Sequence, residues 1–364
     1  MLTLEEEPIK IRKKLPLLKA CGLAVLFCTV FFLTAEITLR IFYFGPDALF
    51  HWNRYEPLDT STPYFLVLSE NPRMGVELRS DHRWYFLGHQ RRTNSIGIAD
   101  DRSPAQLQAA PAIVILGESF AEGGGVDLDQ RFSAQLEKRL QPGKENVLNL
   151  AITNTTLESQ VELLKQRILT DLKVSYVVVA FLAYGNMNDP VLDPKVWERR
   201  MQVAPQLFPL WKRFFSLYIF HDYLSNIQWN PEWFAAKLRK FSGTQNPVQP
   251  TPANNPTEDS SFQRAERLLA ELKALGDPYG FKVVLAPLSH IKDLQNPGRE
   301  SFERGQIKAI AQKLGVDYWD LFPALDGQDP RYCILWSSNQ HMNPYAHARV
   351  AERLARYFVG EARA

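Results

Sequence analysis

A serine and a histidine, two residue types that together can move an acyl group, stand at element boundaries in this 364-residue chain. Ser119 follows the apolar run of residues 112–117, and His341 lies just before a helical stretch near the C-terminus. A serine hydroxyl becomes a nucleophile when a neighbouring base takes its proton, and histidine is the usual base near neutral pH. The pair therefore indicates nucleophilic catalysis, provided that the fold brings the two side chains together.

Polar segments that could complete such a site follow two further strand-like runs. Asn149–Asn154 comes after one run, Gly185–Asp189 comes after the next, and Ser338–His341 precedes the final helix. Backbone N–H groups and asparagine side chains can hold the negative charge that develops on a substrate oxygen. Because parallel strands end at one edge of a sheet, we expect these segments to lie near Ser119.

The elements that must position these residues alternate between strands and helices. Apolar strand-like runs occupy residues 112–116, 146–150, 174–182, 281–286 and 316–320. Helical stripes of apolar residues lie between them, and such alternation is typical of a parallel sheet covered on both faces. The pattern predicts a three-layer α/β/α domain with a mainly parallel, five-stranded sheet of flavodoxin-like type.

Helix ends are also marked in the sequence. Thr155 with Glu158 has the spacing of a capping box, and Asn343 followed by Pro344 is typical of a helix start. Gly276 interrupts a helical stripe and predicts a helix end. These three signals give boundaries that a structure can check.

The N-terminal stretch predicts a membrane anchor. Residues 20–35 carry no charge, and residues 17–39 are long enough to span a bilayer. Four basic residues precede the stretch: Lys10, Arg12, Lys13 and Lys14. The positive-inside rule then puts the N-terminus in the cytoplasm and the main domain outside it, in the periplasm. A cleaved signal peptide is the alternative, but Leu33–Ala35 is a poor cleavage site because Leu33 is large.

The chain divides into three parts by composition. Residues 1–44 form the basic tail and anchor, residues 45–110 a proline-punctuated membrane-proximal segment, and residues 111–364 the main domain. An insertion at 191–260 interrupts the main domain; it is rich first in aromatic residues and then in Pro and Asn. We interpret its aromatic part as a small helical subdomain, with a lid, a glycan-stacking surface and a membrane-facing patch as alternatives.

Composition excludes several classes of function. A net charge of +2 does not indicate a nucleic-acid partner. Three cysteines, Cys21, Cys28 and Cys333, are too few for a disulfide framework, and neither they nor the seven histidines have metal-binding spacing. We therefore expect no metal and no cofactor.

Four ordered motifs resemble those of the SGNH, or GDSL-type, hydrolase family, in particular its bacterial membrane-anchored members. Gly117–Phe120 resembles the family's Gly-Asp-Ser-Phe/Leu block, and Asn149–Asn154 resembles its Asn-Leu-Gly-x-x-Gly block. Gly185–Asp189 is similar to the Gly-x-Asn-Asp or Gly-Asn-Asp block, and Ser338–His341 to the Asp-x-x-His block. The resemblance spans residues 90–360.

This resemblance implies a role for each matching residue. Ser119 would be the nucleophile and His341 the general base. The N–H groups of Ser119 and Asn154 and the side chain of Asn186 would form the oxyanion hole, with Asn188 as the alternative asparagine.

The sequence departs from the family pattern at three positions. Glu118 replaces the Asp of the first block, and Asn154 stands where the second block has Gly. Ser338 occupies the place of the Asp that orients the histidine, or Asn339 does if the spacing is one residue shorter. Neither residue is a carboxylate, and loss of the orienting carboxylate can cost orders of magnitude in rate.

These features predict a membrane-anchored serine esterase or acyltransferase acting on ester groups, with acetyl expected, of an envelope glycan. The alternative is a weakened or inactive relative that binds or helps assemble an envelope polysaccharide. A lipase acting near the membrane is a third hypothesis, which depends on the aromatic insertion.

Overall fold

A computed structural model gives the fold of the chain. It describes residues 17–51, 65–86, 88–140, 144–153, 155–182, 258–288, 290, 297–336 and 339–360, with the isolated positions 187, 191, 197, 214, 216 and 217. Within the described part, the chain begins with helix α1 (Leu17–Phe44). Its large apolar side chains are mostly exposed, Phe27 by 71% and Phe31 by 68%, so α1 is not a core helix. By length and composition alone, Lys19–Phe42 is the one described stretch that could cross a membrane, a test that a signal sequence also passes.

The C-terminal part of α1 buries an ion pair. Arg40 Nε donates to Glu36 Oε1 at 2.6 Å, and both side chains are fully buried. The Ser216 N–H donates to Glu36 Oε2 at 2.7 Å, and the Phe214 ring packs edge-on against Phe32 at 5.2 Å. A described piece of the 191–260 insertion thus lies against α1 beside the Glu36–Arg40 pair.

Two antiparallel hairpins follow. Their strands are β1 (Leu66–Leu68) with β2 (Val76–Leu78), and β3 (Arg83–Phe86) with β4 (His89–Arg92). A one-turn helix, α2 (Pro104–Leu107), comes next. Phe65, Trp84 and Leu107 are buried in the same apolar cluster as the central sheet, and the Phe65 and Trp84 rings stack at 4.9 Å. The hairpins therefore share the core of the main domain.

The central sheet has five strands, all paired in parallel. They are β5 (Ala112–Leu116), β6 (Asn146–Asn149), β7 (Val174–Val179), β8 (Lys282–Leu285) and β9 (Asp317–Tyr318). Their spatial order is β6-β5-β7-β8-β9. This is the 2-1-3-4-5 order of flavodoxin-like sheets, so the predicted fold class is confirmed. The strand order reverses between β5 and β7, where such sheets bind ligands.

Helices cover both faces of this sheet. They are α3 (Ser119–Glu122), α4 (Phe132–Arg139), α5 (Leu157–Leu163) with a π-helical turn at Leu164–Ile168, α6 (Glu258–Tyr279), α7 (Pro297–Leu314) and α8 (Pro344–Phe358). A small antiparallel ribbon, β10 (Ile334–Trp336) and β11 (Asn339–Met342), precedes α8. Alternate residues of β5 face opposite layers. Val114 and Leu116 pack in the cluster of α5, α6 and α7, whereas Ile113 and Ile115 pack in the cluster of α4 and α8.

One predicted helix start is confirmed and one is shifted. The Asn343 side chain accepts from the Ala346 N–H at 3.0 Å, as expected of an N-cap at the start of α8. The cap of α5 is Thr156 rather than Thr155, because Thr156 Oγ1 accepts from the Ser159 N–H at 3.3 Å. The Thr155 hydroxyl instead donates to a backbone carbonyl at 2.7 Å.

The predicted end of α6 at Gly276 is wrong. The helix continues to Tyr279, and Gly280 follows with a φ of +75° that favours glycine. The Gly280 N–H donates to the Gly276 carbonyl at 2.7 Å. A Cβ at Gly276 would lie 2.6 Å from the Phe281 carbonyl oxygen, so this glycine serves close packing inside the helix.

Candidate active site

The turn that carries Ser119 requires a glycine at its start. A Cβ at Gly117 would lie 2.3 Å from the Ala121 Cβ and 3.0 Å from the Ala180 carbonyl oxygen. With no side chain there, β5 passes directly into α3, and Ser119 is the first residue of that helix. Ser119 is partly exposed, although Gly117, Glu118 and Phe120 around it are buried. Ser119 therefore lies just beyond the carboxyl end of β5 and is accessible from solvent.

Hydrogen bonds to both neighbouring strand ends hold this turn. Asn149 ends β6, and its Nδ2 donates to the Ala121 carbonyl at 2.7 Å and to Ser133 Oγ at 3.1 Å. On the other side, the buried Glu118 carboxylate accepts from the Leu182 N–H at 3.4 Å, just beyond β7. The Glu that replaces the family's Asp thus connects the turn to the β7 edge.

The structure brings the Ser119 turn and His341 together. Strand β11, which carries His341, packs against α3. The ring of Phe120, the residue directly after Ser119, stacks on the His341 ring with centroids 4.8 Å apart. Burial and the nearby His290 lower the pKa of His341 to about 4. The imidazole is therefore neutral near pH 7, which is the state that a general base requires.

A second histidine, His290, lies at the same place and was missed by sequence reasoning. Its ring lies 5.2 Å from that of Phe120, so Phe120 contacts both imidazoles. His290 lies beyond the carboxyl end of β8, an inner strand after which no polar site residue was predicted. The signal that could have found it is the same edge rule that singled out Ser119.

Several predicted site residues lie outside the described residues. They are Asn154, Asn186, Asn188 and Ser338. Asn339 begins β11, but its side chain is likewise not described. The roles of these residues, like those predicted for Ser119 and His341, therefore stay predictions.

Four ionisable side chains, Arg91, Glu122, Arg131 and His347, lie around the C-terminal end of α3, and we call them the buried charge cluster. Arg91 Nη2, from β4, donates to the carbonyl of Gly123, which caps α3. Glu122 Oε2 accepts from the Thr153 N–H at 2.7 Å. These contacts connect the second hairpin, the nucleophile turn and the loop after β6.

The charges of this cluster are held in an unfavourable environment. Burial raises the pKa of Glu122 and lowers that of Arg131 to about 9. Burial, with Arg91 and Arg131 nearby, lowers the pKa of His347 to about 3. His347 Nδ1 accepts from the Phe132 N–H at 3.3 Å, whereas its Nε2 and Arg91 Nη1 have no hydrogen-bond partner among the described residues. Ionisable groups with such perturbed pKa values are typical of functional sites.

Metal binding has no support in the described part of the chain. Within it, no group of three or more His, Cys, Asp or Glu side chains is arranged to hold an ion. What the arrangement offers chemically is a hydroxyl at a sheet edge, a neutral imidazole close by, and backbone N–H groups at the same turn.

No protein-family model and no curated protein matches the chain. Solved structures to which it is similar include an acetylxylan esterase from Geobacillus stearothermophilus, 12% identical, with 70% of this chain and 96% of that one covered and a TM-score of 0.39. A member of the lipolytic G-D-S-L family from Veillonella parvula is 11% identical, with 69% and 100% covered and a TM-score of 0.39. A hydrolase from the Lake Arreo metagenome is 14% identical, with 71% and 100% covered and the same TM-score.

Proposed function

We propose that the chain hydrolyses or transfers ester-linked acyl groups by a serine–histidine mechanism. The contact between Phe120 and His341 carries the proposal, because it joins the turn of the candidate nucleophile to the candidate base. The four ordered motifs support it independently, since they give Ser119 and His341 these two roles in a family of ester hydrolases.

The mechanism follows from the chemistry of these groups. Neutral His341 takes the Ser119 proton while the hydroxyl oxygen attacks the acyl carbon, and the developing oxyanion is held by N–H donors. The proton then passes to the leaving alcohol, and an acyl-serine remains. Water, or a second hydroxyl in a transferase, repeats the steps in reverse. Because Ser338 rather than an Asp occupies the acid position of the resembled motif, we expect turnover slower than that of a full triad.

The proposal also covers the cellular location of the main domain and the class of substrate. The exposed apolar surface of α1 and the basic residues before it support a single-pass anchor with the N-terminus in the cytoplasm. The main domain would then lie in the periplasm, where acetylated envelope glycans are one class of ester substrate. The aromatic residues of the 191–260 insertion suit a sugar-stacking surface.

A covalent serine probe tests the activity. We expect a fluorophosphonate to label the full-length chain in detergent, and Ser119→Ala to abolish the labelling. Ser95→Ala, at an exposed loop position, is the matched control and should label like the parent. His341→Gln should slow labelling by at least about a hundredfold, since it removes the base.

The alternative function predicts a different result. A folded chain that no fluorophosphonate, carbamate or β-lactone probe labels would favour a non-catalytic protein that binds or helps assemble an envelope polysaccharide. If labelling succeeds, acetylated sugars and long-chain esters should be compared as substrates. Release of acetate from the sugars would support the glycan substrate, whereas cleavage of long-chain esters alone would favour a lipase.

A further inference from the structure

We infer that Glu122 is a positioning residue that fixes the loop after β6 against the nucleophile turn. Ser119 and Glu122 are one helical turn apart on α3. Glu122 Oε2 accepts from the Thr153 N–H at 2.7 Å, and Thr153 directly precedes Asn154, the predicted oxyanion donor. One short helix thus holds both the hydroxyl and the loop from which the donor extends. The catalytic part of this inference depends on the proposed function.

Hydrogen bonds hold this loop at its start, at Thr153, where Glu122 is the acceptor, and at Thr155. At its start, the Leu150 N–H donates to the Ile115 carbonyl at 2.9 Å, and Ala151 donates to the Asn149 side chain at 3.0 Å. Further on, the Thr155 hydroxyl donates to the Ile152 carbonyl at 2.7 Å, a contact within the loop itself. Among the hydrogen bonds of the described residues 150–153, the Glu122 bond is therefore the one that joins the loop to α3.

The charges around Glu122 explain why its carboxylate can accept this hydrogen bond in the ionised form. Burial raises its pKa, whereas Arg91 and Arg131 act in the opposite direction and favour the ionised form. Arg91 also donates to the Gly123 carbonyl, so it holds the end of the same helix. An ionised acceptor makes a stronger bond to a backbone N–H than a neutral acceptor does. The two arginines of the buried charge cluster thus favour the ionised Glu122 that accepts from the Thr153 N–H.

Two substitutions separate this role from general stability. Glu122→Leu removes the acceptor, whereas Glu122→Gln keeps an oxygen that can accept from Thr153 and removes only the charge. Glu70→Gln, at an exposed position, is the control. Hydrogen–deuterium exchange of the peptide spanning residues 150–156 is measured on the full-length chain in detergent, with the β7 peptide as an internal reference. Turnover of an acetyl ester is measured in parallel.

We expect Glu122→Leu to lose protection in the 150–156 peptide alone and to lower kcat by at least about tenfold, because small misplacements of catalytic groups are costly. KM should stay within about twofold, as binding is not the step affected. Glu122→Gln should retain loop protection and most of kcat. Unchanged protection in Glu122→Leu, or equal losses in both variants and in the reference peptide, would overturn the inference. Because exchange needs no substrate, failure of the proposed function would appear separately, as absent probe labelling of the parent chain.

Discussion

Two groups of charged residues in this protein differ in exposure and in the state of their charges. The first is the buried charge cluster beneath α3. The second, which we call the half-exposed ion network, joins the first hairpin loop to α5 and α6 and consists of Arg73, Glu158, Glu162, Lys165, Arg264 and Glu271. In the network, each basic group faces at least one carboxylate, as in the 2.9 Å pairs Arg73–Glu158 and Lys165–Glu162.

The pKa shifts of the two groups have opposite signs. In the network, the hydrogen bond to Glu158 raises the pKa of Arg73, and pairing lowers that of Glu271 despite its partial burial. The charged forms are therefore favoured there. In the buried charge cluster, burial raises the pKa of Glu122 and lowers that of Arg131, so the charged forms are disfavoured.

This difference distinguishes the half-exposed ion network, whose ion pairs join elements of the fold, from the buried charge cluster, which adjoins the candidate active site. Paired, half-exposed residues keep their preferred charge states and can be changed at little cost. Residues held in unfavourable states persist only where the surrounding structure determines them, and such residues concentrate at functional sites. The cluster that adjoins Ser119 is of the second kind.

The largest expected difference is in stability. Glu122→Leu leaves the Thr153 N–H without its acceptor and should lower the free energy of unfolding by about 2 kcal/mol, as loss of one partner of a charged hydrogen bond does. Glu271→Gln, in the network, should cost at most about 1 kcal/mol. Urea unfolding followed by tryptophan fluorescence measures both. Equal losses would remove the distinction between the two groups.

A smaller effect should appear in the dependence of stability on pH. The pKa of His347 falls from 6.5 to about 3 on folding, so the unfolded state binds more protons between these values. Its contribution to stability is complete above pH 6.5 and is lost as the pH falls through this window. His347→Gln should remove about one proton's worth of slope, about 1.4 kcal/mol per pH unit. Unfolding midpoints measured at pH 4.5–7 give the slope. The stability of the variant should still depend on pH, because His341, with its pKa of about 4, also titrates on unfolding. Parallel curves for variant and parent would show that His347 titrates normally.

The smallest predicted effect concerns His290 and its influence on the pKa of His341. His290 lowers the pKa of His341, so His290→Gln should raise that pKa by less than about one unit. The acidic limb of kcat/KM would move from about pH 4 to higher pH by the same amount. NMR titration of the His341 ring measures the pKa directly, without substrate. A downward shift would mean that His290 acts through something other than its charge.

Sequence patterns predicted the sheet and the start of α8 because these depend on local features. β-Branched runs form the inner strands, and Asn343 before Pro344 begins α8. The turn at Ser119 was found for the same reason, since a strand, a glycine and a hydroxyl are contiguous. The Gly276 error shows the limit: one glycine in α6 permits a close approach and another ends the helix, and composition alone does not tell them apart.

The supporting groups of the site could not be predicted in this way. Arg91 belongs to the proline-punctuated membrane-proximal segment, and Glu122 resembles any polar residue of a helix. His347 is one of several polar residues in the last helical stretch, and its burial beside two arginines depends on contacts between distant parts of the chain. His290 could have been predicted from its position after an inner strand. The positions of Arg91, Glu122 and His347 depend on tertiary packing.

The contact between Arg91 and the Gly123 carbonyl also bears on how related chains can diverge. If Arg91 alone were replaced, Gly123 would lose a donor and Glu122 would lose a countercharge. A lineage that abandons Arg91 should therefore abandon Glu122 as well, and the hairpin of β3 and β4 should be inherited together with the turn that carries Ser119. Exchanging that hairpin between distant relatives would mismatch the two, even if every residue that touches the substrate were retained.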